Sequence, residues 1–104
     1  MAGLAKPNAI TTLVKEIKQT TNLPIHFHTH DTSGTASASV LAAIDEKVDI
    51  VDLAIDSMSG LTSQPALGSV VSIMKQNHQD PKLDEESIRT LSLYWEQVLS
   101  LIHI

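Results

Sequence analysis

The sequence predicts an α/β fold, an incomplete (β/α)8 TIM barrel with parallel strands near residues 25–30 and 50–55. Three observations carry this. Apolar periodicity alternates between helical and strand spacing in the order α-β-α-β-α-α. A single helix separates the two strands, so the connection is a crossover, the strands lie parallel, and the hand is right-handed. Each strand has one apolar face and one mixed face, the latter carrying His26, His28, His30, Asp52 and Asp56. Two strands make no stable parallel sheet, because such sheets are buried on both sides. Polar side chains on the inner face suit the mouth of a barrel, of which this chain would supply about a third.

The elements follow in order. Pro7 opens a helix whose Ile10, Leu13, Val14 and Ile17 form one apolar stripe, and Asn22 and Pro24 close it. Ile25–His30 alternates, with Ile25, Phe27 and Thr29 on one face and three histidines on the other. Ser33-Gly34 ends the strand. A second helix runs from Ala36 to Lys47, packing Val40, Leu41, Ile44 and Val48. Asp49–Ile55 is the second strand, with Val51, Leu53 and Ile55 opposite Ile50, Asp52, Ala54 and Asp56. After the loop Ser57–Gly60, a third helix spans Pro65 to Gln76, packing Leu67, Val70, Val71 and Met74. A polar turn leads to Asp84 and a last helix with Glu85 and Glu86 near its positive end, striped by Ile88, Leu91, Tyr94, Trp95 and Val98.

Composition narrows the function classes. The chain has 104 residues, 7 Lys+Arg against 12 Asp+Glu, and a net charge of −5, which argues against a nucleic-acid binder. No apolar run approaches a membrane span and no secretory h-region is present. Without cysteine there is no disulfide, thiolate site or Cys nucleophile, which suits a cytoplasmic protein.

The histidines carry the chemistry. Residues two apart on a strand point the same way at about 6.5–7 Å, so two imidazoles can converge on one ion. Three in register cannot. His28 and His30, nearest the strand's carboxyl end, are the candidate metal ligands, and His26 is a hydrogen-bonded core residue or a group behind the ligands. The competing reading makes all three polar filler. Asp31 faces the other way. Asp52 and Asp56 share the histidines' parity; Asp56, nearer the mouth, is a candidate partner behind the ligands, but a solvated or helix-capping role is preferred for both. His78 and His103 read as surface residues in a turn and a terminal helix. A catalytic metal site usually needs a third protein donor, which this sequence lacks.

MAGLAKP, LPIHFHTHDTSG, VDIVDLAIDSMSGLTSQPALGSVV and LSLYWEQV resemble, in order, the carboxyltransferase domain of the pyruvate carboxylases. Related decarboxylase and transcarboxylase subunits share the barrel, and acyl-CoA lyases share its His-x-His. The resemblance implies the last two to three βα units of the barrel over residues 1–98, with 99–104 a non-matching tail. It implies a divalent metal, zinc or manganese, bound by His28 and His30 together with an upstream Asp and a carboxylated Lys that have no counterpart here. It implies biotin on another domain, a homo-oligomeric parent, and carboxyl transfer from carboxybiotin to pyruvate giving oxaloacetate, aided by a Lewis-acid metal. No catalytic residue is carried over to this segment. Asp56 stands where Ser is expected, and Gly60–Pro65 matches a motif without an assigned role. An internal Met taken as a start would explain the lost donors. Two rival readings remain: a metal-dependent amidohydrolase, which places its His-x-His on the first strand, and a non-enzymatic α/β fragment that needs the rest of the barrel as its partner.

Overall fold

The computed structural model describes residues 3–102, so His103 lies outside the described residues. Its elements are α1 (Pro7–Thr20), β1 (His26–Phe27), α2 (Ala36–Asp45), β2 (Ile50–Val51), a 3-10 turn (Asp56–Met58), α3 (Leu67–Gln76) and α4 (Glu85–Ile102). The order agrees with the sequence pattern, and β1 and β2 pair in parallel with His26 opposite Ile50 and Phe27 opposite Val51. None of the described helices is long and apolar enough to cross a membrane.

The paired strands are shorter than the alternation suggests, and the cause is tertiary. Asp49 fixes the lower end, where its carboxylate accepts the Ile25 N–H at 2.8 Å and its own N–H donates to the Ile25 carbonyl at 3.0 Å. Above Phe27 and Val51 the chains are bridged by a third segment. Asp31 N–H donates to the Ser63 carbonyl at 2.8 Å, Ala54 N–H to the Pro65 carbonyl at 2.9 Å, and Leu67 N–H to the Ala54 carbonyl at 2.8 Å. The upper backbone of both strands is therefore hydrogen-bonded to the loop before α3 rather than strand to strand.

Packing of α1 on α2 supplies one core, formed by Ile10, Val14 and Ala43 with Ile25, Phe27, Ala42 and Val48 against it. The apolar strand face thus turns toward the helices, as its alternation requires. On α1, Ile10 and Val14 are buried, whereas Leu13 is 52% exposed. On α2 the fully buried positions are Ala36, Ser39, Val40 and Ala43, while Leu41 and Ile44 are only half-buried. Val40 and Val48 thus pack as expected, whereas Ala36, Ser39 and Ala43 take the contact expected of Leu41 and Ile44. Small side chains face the contact because they let the helix approach closely. Ser39 is tolerated there because its hydroxyl donates to the Ala5 carbonyl at 3.0 Å.

Helix α3 buries Val70 and Val71 and begins at Leu67 rather than Pro65; buried Pro65 belongs to the bridging segment. Helix α4 is also corrected. Only Ile88 of its apolar stripe is buried, with Leu91, Tyr94 and Trp95 exposed. Its fixed contact is polar: Ser57 N–H donates to the Ser92 hydroxyl at 3.0 Å, and the Ser57 hydroxyl to the Ser92 carbonyl at 2.8 Å. The helix continues without a break across Val98 to Ile102. Its first turn is capped by Asp84, whose carboxylate accepts from the Ser87 hydroxyl at 2.6 Å and the Glu86 N–H at 3.3 Å.

Two outcomes are expected. Ile10→Ala should lower unfolding free energy by about 2–5 kcal/mol, against less than about 0.5 kcal/mol for Leu13→Ala, measured by urea denaturation. The Ser87 hydroxyl, and after it the Glu86 N–H, hold the Asp84 carboxyl below its ordinary value. A depressed folded pKa means that the cap stabilises α4 above the ordinary carboxylate pKa of about 3.9 and is lost as pH falls through the lower folded value. Far-UV circular dichroism should show an acid loss of helicity that is absent in Asp84→Ala.

Candidate metal centre

Strand alternation aims His26 and His28 to one side of β1, and the parallel register sets Asp52 beside them. Asp52 Oδ2 lies 2.9 Å from His26 Nε2 and 2.7 Å from His28 Nδ1. The hydrogen bond from His28, and next that from His26, hold the Asp52 carboxyl below its ordinary range, against a smaller opposing effect of desolvation. Asp52 is therefore an anion at neutral pH and can only accept. Both facing ring nitrogens must carry hydrogen.

His30 is fixed from the other side. Its Nδ1 lies 2.6 Å from the Thr62 carbonyl, which also only accepts, so Nδ1 of His30 is the protonated nitrogen. The Gln64 side-chain amide nitrogen, at 3.4 Å from the same atom, is too far to compete. The two rings meet edge to face, with centroids 5.0 Å apart and planes at 77°. Their Nε2 atoms stand 3.1 Å apart. Since each Nδ1–H is committed, both Nε2 atoms of the neutral rings present lone pairs toward one point. Two lone pairs at that distance repel unless an electrophile sits between them. Neutral imidazole Nε2 is a common zinc donor at about 2.0–2.1 Å, and donors at adjacent corners of one coordination sphere stand roughly 3 Å apart. The pair fits a divalent cation in donor type, tautomer and separation.

Neighbouring contacts hold the loop after β1. The Ser33 hydroxyl donates to the Gly3 carbonyl at 2.9 Å, and Asp31 Oδ1 accepts the Ala36 N–H at 3.0 Å, the first residue of α2. Gly3 has φ +74, and a Cβ there would stand 2.8 Å from the Ser33 hydroxyl, so this close approach requires glycine.

The structure separates two carboxylates that parity alone does not distinguish. Asp52 is not a solvated or capping group; it bridges His26 and His28. Asp56 takes the capping role that was preferred for it, its Oδ1 accepting the Gly68 N–H at 2.7 Å at the start of α3, and not the alternative place behind the ligands. His26 is not a core residue, since its side chain is 53% exposed; it lies behind His28 through Asp52. His78 is exposed, as expected of a turn residue. Among the described residues no third His or carboxylate joins His28 and His30 as a metal-binding group. The Thr62 carbonyl had no signature in the sequence, because backbone acceptors have none.

Residues 1–94 match the HMGL-like family. The chain belongs to that family. Its relatives are enzymes, pyruvate carboxylases. It is 44% identical over 98 residues to the pyruvate carboxylase of Bacillus subtilis, covering 94% of this chain and 8% of that protein. It is 46% identical over 97 residues to the mitochondrial pyruvate carboxylase of Rattus norvegicus, covering 92% and 8%. The solved carboxyl transferase domain of Rhizobium etli pyruvate carboxylase with pyruvate superimposes with a TM-score of 0.90 at 56% identity, covering 94% of this chain and 17% of that one. The same domain has been solved with pyruvate and biocytin, again with a TM-score of 0.90 and 56% identity over 94% of this chain and 16% of that one. The chain thus spans about 8% of the length of the curated relatives it matches, and its α/β fold is that of a carboxyltransferase barrel segment.

The tautomers are directly testable. In metal-free protein at pH 8, ¹⁵N spectra should show hydrogen on Nδ1 and an unprotonated Nε2 for both His28 and His30. Asp52→Leu removes the acceptor for His28 and should shift that ring toward the Nε2–H form while leaving His30 unchanged.

Proposed function

We propose that this chain is the seventh and eighth βα units of a carboxyltransferase barrel, with α1 as the preceding helix, and that His28 and His30 are two ligands of its divalent cation, zinc or manganese. The observation that carries this is the pair of Nε2 atoms facing each other at 3.1 Å, with the Nδ1 of each ring held by a different acceptor. In the full-length enzyme the reaction would be carboxyl transfer from carboxybiotin to pyruvate, forming oxaloacetate. The bound cation would supply Lewis acidity toward the pyruvate oxygen, lowering the cost of enolate formation.

This chain's own residues would do three things. His28 and His30 donate neutral nitrogens. Asp52 and the Thr62 carbonyl fix the tautomers and raise the basicity of the donors. The remaining donors, the pyruvate and biotin contacts, and the oligomer interface would come from the rest of the parent enzyme. Residues 99–104 would diverge from the relatives' continuation. A groove of about 600 Å³, lined by Leu4, Leu13 and His26–His30, supports this reading, since a neighbouring strand would pair there. Two donors without the rest of the barrel would leave the isolated chain without carboxyl transfer activity.

Zinc titration of the 104-residue chain, read by competition with a chromophoric chelator, tests the metal assignment. Measurable 1:1 binding is expected, abolished by His28→Ala or His30→Ala and weakened about 10–100-fold by Asp52→Leu. Affinity should fall as pH drops, because protons compete for the same nitrogens. Binding unaffected by loss of either histidine would refute the assignment.

A further inference from the structure

The segment Gly60–Pro65 is the motif to which the sequence assigned no role. We propose that it is a positioning clamp for His30, acting through its backbone: the Thr62 carbonyl selects the His30 tautomer and aims Nε2 at His28. This deepens the metal-site reading and rests on it for its functional meaning.

Four observations converge. The contact between His30 Nδ1 and the Thr62 carbonyl is 2.6 Å, the shortest hydrogen bond to any histidine of this cluster. The loop is closed on itself, with Gly60 N–H donating to the Gln64 carbonyl at 2.9 Å and Ser63 N–H to the Gly60 carbonyl at 2.8 Å. It is tied on one side to the end of the histidine strand through Asp31 and Ser63, and on the other to the chain after β2 through Ala54 and Pro65. Its turn uses two successive residues in the left-handed region, Gly60 at φ +82 and Leu61 at φ +51. Leu61 is 83% exposed, so no packing gain explains that conformation. What the turn achieves is the direction of the next carbonyl.

The Thr62 side chain is exposed and takes no part in the contact, so the function lies in the backbone. A backbone acceptor held from both strands cannot swing away as a side chain can. It therefore fixes ring orientation and tautomer together, and leaves Nε2 as the only basic nitrogen. Gly60 is the position to test. Nothing lies within 4 Å of a Cβ built there, so a substitution acts through φ alone and not through a clash.

The experiment compares wild type, Gly60→Val, Gly60→Asn and Thr62→Ala in the 104-residue chain. Val resists positive φ, whereas Asn tolerates it. In metal-free wild type a scalar coupling across the hydrogen bond from His30 Nδ1–H to the Thr62 carbonyl carbon should be measurable. Gly60→Val should abolish it, shift the His30 ¹⁵N pattern toward the Nε2–H form, leave the His28 pattern in place, and lower zinc affinity about 10–100-fold. Gly60→Asn and Thr62→Ala should keep the wild-type pattern and affinity. A folded Gly60→Val with an unaltered His30 tautomer overturns the clamp. Should that variant fail to fold, absence of the coupling in wild type overturns it and its presence supports it. A wild type that shows the coupling but binds no zinc supports the clamp and refutes the metal assignment, so the two failures are distinguishable.

Discussion

Two ring nitrogens that face each other with their lone pairs are the constraint on which the chemistry of this chain depends. Neither ring is free to relieve the repulsion by changing tautomer, because an acceptor from a different element holds each Nδ1–H. Asp52 comes from the chain just after β2 and the Thr62 carbonyl from the loop that follows it. The fold holds both Nε2 atoms toward one point, through contacts made by separate segments of the chain. A cation is the electrophile whose size and preferred donors suit the gap.

The surrounding fold serves that arrangement. Small residues on α2 bring the helix close to the apolar face of β1, and this turns the opposite face, with its histidines, outward. In a complete barrel that face would be the interior. Here it borders an open groove, and among the described residues the sheet has two strands. Exposed Leu4, Leu13, Tyr94 and Trp95 are in keeping with a segment shaped to be covered by more polypeptide. Nearly all of the chain is matched by its relatives, and it corresponds to a small share of each.

Helix and strand order, the parallel crossover and the shared face of His26, His28 and His30 were legible in the sequence. They depend on periods of 3.6 and 2, which are local. The pairing of His28 with His30 was legible for the same reason, since two residues on one strand need no partner to share a face. Strand length was less legible, because the bridging segment Ser63–Leu67 takes up the upper backbone hydrogen bonds, and no local pattern announces it. The stripe of α4 was over-read: an amphipathic pattern records which face could be buried, and only Ile88 found a partner.

The sequence by itself determined the element types, the face that carries the imidazoles and, through its motifs, the family. Tertiary structure decided what stands behind those imidazoles. Asp52 and Asp56 have equal parity, yet one meets two histidines and the other caps α3, because register and strand divergence depend on contacts between distant segments. The Thr62 carbonyl belongs to the same class. Every residue has one, and only the path of the folded chain brings this one to the ring it orients.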